Sequence, residues 1–148
     1  MVAIRKFREI VFQVLYSRDL NHEIDPKILS LMLDQFVVPR KTLHQAFEKT
    51  DKITSMLESI DSLISTFSPD YDFKRISRVE RSILRLGVYE LLYEEETPSK
   101  VAISEAVRLS RKFGTPEGGA FVNGILDAIY RSREIACPSK LAFSPTAP

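Results

Sequence analysis

Tryptophan is absent from this 148-residue chain, cysteine occurs once (Cys137), and there are only 5 glycines. A lone cysteine excludes an intramolecular disulfide and any cysteine-built metal site. Neither sign of charge dominates: 21 Lys and Arg face 20 Asp and Glu, so bulk charge points to no particular partner. No apolar run approaches the ~20 residues that span a bilayer. Behind the basic start at Arg5, Lys6 and Arg8, the residues Glu9, Gln13, Arg18 and Asp19 interrupt any apolar stretch, so a secretory signal is not expected. These absences remove membrane proteins, disulfide-stapled secreted domains and zinc proteins. A cytoplasmic globular domain remains.

What the chain does contain is helical periodicity, with no convincing alternation of apolar and polar residues. Ile4, Phe7, Val11 and Val14/Leu15 form one stripe over residues 3–20. Asp25-Pro26 opens a helix carrying Ile28, Leu29, Met32, Leu33 and Phe36, which Pro39 stops. From Arg40 to about Phe67, the residues Leu43, Phe47, Ile53, Leu57, Ile60 and Ile64 predict one long helix. Ser77-Arg-Val-Glu80 fits a capping box and starts a broadly apolar, central helix reaching Tyr93. Thr97-Pro98 opens the next, with Ala102, Ala106, Leu109 and Phe113 as its stripe, and Gly114 suits the left-handed position that ends a helix. Thr115-Pro116 starts a last helix holding Phe121, Val122, Ile125, Leu126 and Ile129. The expectation is an all-α fold of six or seven helices over residues 1–135, in subdomains of about 1–70 and 71–135. Residues 136–148, rich in Pro, Ser and Ala, read as a disordered tail.

Catalysis has little to stand on. His22 and His44 read as surface residues with no nucleophile motif beside them, and Gly118-Gly119 lacks the phosphate-loop pattern. No enzyme activity, cofactor or metal is expected. The basic residues say more. Arg5, Lys6 and Arg8 crowd the first eight positions without an acid, which suits either phosphate contacts or a solvated helix end. Arg108, Arg111 and Lys112 end a helix, where cations complement the dipole. Arg75, Arg78, Arg81 and Arg85 recur along one face, and pairing with acids such as Glu80 or Asp72 is favoured over phosphate binding.

Three runs go beyond composition: Ser77-Arg-Val-Glu-Arg-Ser-Ile-Leu-Arg-Leu-Gly-Val-Tyr-Glu-Leu91, Pro98-Ser-Lys-Val-Ala-Ile-Ser-Glu-Ala-Val-Arg-Leu-Ser-Arg-Lys-Phe-Gly114 and Phe121-Val-Asn-Gly-Ile-Leu-Asp127. With Arg5-Lys-Phe-Arg-Glu-Ile-Val-Phe-Gln-Val-Leu-Tyr16, they resemble the bacterial transcription antitermination factor NusB family, over roughly residues 4–20 and 73–130. The resemblance implies two helical subdomains packed across each other and no catalysis. It implies binding of boxA-type single-stranded RNA from ribosomal RNA leaders, together with NusE, a small-subunit ribosomal protein. The complex would join the RNA polymerase elongation complex with other Nus factors and suppress premature termination.

By the same resemblance, Arg5, Lys6 and Arg8 fall on the family's arginine-rich RNA-binding segment. Phe113, Glu117 and Phe121 fall in the connection that contributes RNA and partner contacts. If the first helix packs near that connection, Arg111 and Lys112 would join Arg5 and Arg8 on one RNA strand; Tyr16, Phe113 and Phe121 are candidates for base stacking, with core burial the favoured state of each. Asn123 is expected to tie the helix to the adjoining loop. Three positions depart from the family pattern: Phe7 interrupts the basic run, Ser104 stands where Asn is frequent, and Gly118-Gly119 is expected to loosen the connection. The residues alone also allow a protein-only helical scaffold, with a homodimer left open, because spare apolar faces can serve as interfaces. An accessory domain of an RNA-modifying enzyme is a third reading, for which the chain has no catalytic segment.

Overall fold

The computed structural model describes residues 4–20, 38–68 and 73–136. All regular structure among them is helical: α1 (Ile4–Leu20), α2 (Arg40–Ser55), α3 (Leu57–Thr66), a 3-10 turn (Phe73–Arg75), α4 (Arg78–Leu92), α5 (Ser99–Phe113) and α6 (Pro116–Ala136). The expected helix after Asp25-Pro26 and the tail from Cys137 lie outside the described residues. The chain divides into two units, Met1–Ser55 and Met56–Pro148, earlier than the boundary near residue 70 expected from the sequence.

In the first unit α1 packs on α2. Ile10, Val11, Val14 and Leu15 are buried on α1, and Ala46, Thr50 and Ile53 on α2, at helical spacing. The stripe expected on α1 is right in its middle and wrong at its start. Ile4 is 70% exposed, and Phe7 is only half-buried, with Lys49 Nζ 5.7 Å from its ring centre. Periodicity identifies the inward face of a helix but not how far along it the cover extends. Arg18 joins α2 through Asp51, at 2.9 Å, and Thr54, at 3.4 Å.

The long helix expected from Arg40 to about Phe67 is two helices, broken at Met56. Hydroxyls explain the break. The side chains of Thr50, Thr54 and Ser55 donate to the carbonyls of Ala46, Thr50 and Lys52 at 2.7 to 2.8 Å. Such local bonds compete with the helical ladder and bend it. The apolar period runs straight through the break, which is why spacing alone conceals it.

The second unit is built around α4, buried without interruption from Ser82 to Leu91 and packed on α3, α5 and α6. Ser77 starts it as expected, its Oγ accepting from the Glu80 N–H at 3.1 Å. Gly87 lets α4 come close to its neighbours: a Cβ there would meet Leu126 Cδ1 at 2.9 Å and Ala106 Cβ at 3.5 Å. Arg85 reaches α3 in a two-pronged ion pair, Nε to Asp61 Oδ1 and Nη2 to Asp61 Oδ2, both at 2.8 Å. That pair, with the packing of α3 on α4, puts α3 in this unit rather than with α2. Near the end of α4, burial first and the Glu94 carboxylate second push the Tyr89 hydroxyl above its ordinary 10.0. Glu94 opens a turn closed by the Thr97 N–H on its carbonyl at 3.2 Å, with Glu95 and Glu96 exposed between the two helices.

Candidate nucleic-acid interface

The residues expected at an RNA site fall on both units. On the first, Arg5 and Lys6 are exposed in the opening turn of α1, whereas Arg8 is buried, 5% exposed, and engaged within the protein. Tyr16 is half-buried, its ring 6.2 Å from that of Phe12. The structure therefore presents two cations of this group to solvent and turns the third inward.

On the second unit, the connection between α5 and α6 gathers the rest. Arg111 and Lys112 are exposed in the last turn of α5, and Lys112 Nζ stands 5.6 Å from the Phe113 ring centre. Glu117 is exposed in the first turn of α6, and Phe121, one turn later, is half-buried. Phe113 and Phe121 are thus half-buried at this connection and are not among the buried core residues. Arg108, grouped with Arg111 by sequence, is bound to the buried Glu105 at 2.9 Å. Asn123 is exposed on α6 instead of tying it to the adjoining loop.

The connection is held more tightly than its glycines suggest. Gly114 has φ −116°, so it is not left-handed as expected. It is required because a Cβ would stand 2.9 Å from the Ser110 carbonyl, which the Gly114 N–H binds at 2.8 Å. Thr115 caps α6, its Oγ1 accepting from the Gly118 N–H at 3.1 Å. Gly118 and Gly119 are not in a loosened loop: both are helical and buried. A Cβ at Gly118 would collide with Glu80 Oε1 and stand 3.0 Å from Ser110 Oγ. The sequence suggests for Glu80 a capping box and a pairing with the neighbouring arginines, and neither signal points to this contact.

The row of arginines running from the 3-10 turn into α4 splits in two. Arg81 and Arg85 lie over the Phe73 ring, at 5.3 and 5.5 Å, and Arg85 holds Asp61. Arg75 and Arg78 are exposed, as is Lys74. The favoured acid partner Glu80 is turned to Gly118, and Asp72 lies outside the described residues.

Residues 5–131, which include the α5–α6 connection, match the model of the NusB family. The chain belongs to the NusB family. Among relatives, the transcription antitermination protein NusB of Geobacter sulfurreducens is 39% identical over 132 residues, covering 87% of this chain and 94% of that protein. The protein of the same name from Fervidobacterium nodosum is 36% identical over 133 residues, covering 88% and 93%. Among solved structures, T. maritima NusB superposes with a TM-score of 0.82 at 35% identity, covering 96% of this chain and 99% of that one. A chain of the crystal structure of antitermination factors NusB and NusE in complex with dsRNA gives 0.74 at 29% identity, covering 86% and 96%. No helix among the described residues of this NusB-family chain is long and apolar enough to cross a membrane.

Proposed function

We propose that this chain is a transcription antitermination factor. With NusE it binds boxA-type single-stranded RNA in ribosomal RNA leader transcripts. As part of the RNA polymerase elongation complex with other Nus factors, it suppresses premature termination. It works in the cytoplasm as an adaptor, without catalysis. The observation that carries the reading is the pairing of exposed cations with half-exposed rings at the α5–α6 connection of a NusB-family fold.

Each part has a physical task. Arg5, Lys6, Arg111 and Lys112 contact phosphates and release condensed counterions, which supplies affinity but no sequence choice. Phe113 and Phe121 offer ring faces on which unpaired bases stack. Glu117, acidic and exposed between them, serves with both phenylalanines as a contact for NusE. Arg8, buried, supports the first turns of α1 rather than meeting RNA directly. A protein-only scaffold has no need for cations grouped beside partly exposed rings, and is not favoured.

Fluorescence anisotropy of a boxA-type strand, a scrambled strand and a duplex, each with and without NusE and across a salt series, tests the proposal. Selective binding of the boxA strand that tightens with NusE is expected. Equal binding of all three with NusE present overturns it. Light scattering on the same samples distinguishes a monomer from a homodimer.

A further inference from the structure

The exposed cations Arg75 and Arg78 have no use in the contacts described above. They stand just before and at the first residue of α4, where positive charge opposes the helix dipole, so local helix energetics do not explain them. Lys74 is exposed beside them. The two arginines further along the same row are used inside the unit, on Phe73 and Asp61.

Their position relative to the α5–α6 connection is fixed by two close approaches within the second unit. A Cβ at Gly114 would stand 3.5 Å from Val79 Cγ1, and one at Gly118 would strike the Glu80 carboxylate. Val79 and Glu80 directly follow Arg78, so the first turn of α4 lies against the connection that carries Arg111, Lys112 and Phe113. Lys74, Arg75 and Arg78 therefore extend the basic surface at that end of the unit. Its only acid in the first turn of α4, Glu80, is half-buried and turned toward α6.

We infer that this patch is a second RNA backbone site. It holds the phosphates of nucleotides flanking the strand bound at the α5–α6 connection. The inference rests on the RNA-binding reading above and extends its footprint. Guanidinium groups suit the task because their planar forks match phosphate oxygens, and no base is read there. The flanking nucleotides add affinity without adding sequence preference.

The test compares a minimal boxA-type strand with the same strand lengthened by a run of uridines at either end, in the presence of NusE. Wild type and the Arg75→Gln/Arg78→Gln variant are titrated with both strands across salt. Wild type should bind one of the lengthened strands several-fold more tightly than the minimal one. The variant should lose that gain, bind the minimal strand as wild type does, and show a salt slope shallower by about 1.4, or about 0.7 for each lost phosphate contact on a single strand. A gain that survives in the variant, or no gain from lengthening, overturns the inference while leaving the adaptor function standing. Weaker NusE binding by the variant with the RNA gain intact also overturns it, and assigns the patch to an acidic protein surface. If no strand binds wild type at all, the adaptor function itself fails, and this site with it.

Discussion

The carboxylate of Glu80 occupies the space that a side chain at position 118 would need. A Cβ built at Gly118 would collide with Oε1 of Glu80 and stand 3.0 Å from Ser110 Oγ. The first turn of α4 thereby rests on the first turn of α6. Gly118→Ala must swing the flexible end of Glu80 aside and shift Ser110 Oγ slightly, and should lower the unfolding free energy by no more than about 1 kcal/mol. Gly119→Ala meets nothing closer than 3.7 Å and should be neutral or stabilising by up to about 1 kcal/mol. In an Glu80→Ala background the cost at position 118 should largely vanish. Urea denaturation of the four proteins measures that coupling, and an undiminished cost in the double variant rejects the explanation.

Asp61 and Arg85 join α3 to α4 through two parallel bonds in a site where the arginine side chain is only 9% exposed. Asp61→Ala removes both of these bonds from a buried guanidinium, and should cost about 3 kcal/mol. Arg85→Lys should also destabilise, because an ammonium cannot make both bonds. Thermal denaturation reads both effects, and a substitution at 61 with no change in midpoint contradicts this account.

The basic residues at the start of α1 should separate into two classes. Arg8→Ala removes a buried, engaged group and should cost about 2 kcal/mol of stability. Arg5→Ala and Lys6→Ala act at exposed positions and should stay within about 0.5 kcal/mol of wild type. Each of these two should instead make the salt dependence of RNA binding shallower by about 0.7. Chemical denaturation and salt-titrated anisotropy on the same three variants check the division.

Tyr89 gives the fold a vulnerability to alkali. Its folded-state pKa lies above the unfolded 10.0, raised by burial and then by Glu94. The unfolded chain therefore loses this proton first. The contribution of Tyr89 is intact below pH 10 and declines as pH rises beyond it. Unfolding free energies measured from pH 8 to 11 should fall less steeply for Tyr89→Phe than for wild type. Parallel slopes show that the hydroxyl titrates alike in both states.

Helix starts were legible because capping is chemistry between near neighbours. Ser77 and Thr115 each stand one residue before an observed start and cap it, whereas α5 starts after Pro98 with no side-chain cap, so Thr97 only lies near its start. The break at Met56 was hidden because Ile53, Leu57, Ile60 and Ile64 keep one period across it, while the cause lies in hydroxyls that spacing does not weigh. Arg75, Arg78, Arg81 and Arg85 look alike in sequence, and only the placement of Phe73 and Asp61 divides them into inward and outward pairs. The two adjacent glycines invite a reading of looseness. Their use is the reverse, since Gly118 is small because a carboxylate from another helix fills its place. The candidate RNA residues were found by their resemblance to a family, and their exposure or burial followed only from the packing.

Between α5 and α6 only Gly114 and Thr115 intervene, the first pinned to the Ser110 carbonyl and the second spent on a cap. Insertions have no slack to draw on there: one extra residue would rotate Glu117 and Phe121 away from their present bearing by about a quarter turn or more. The Glu94–Thr97 turn is different, with Glu95 and Glu96 exposed at its tip. A fluorophore, an epitope or a duplicated segment belongs in that acidic turn, where the chain can lengthen without re-aiming the α5–α6 connection.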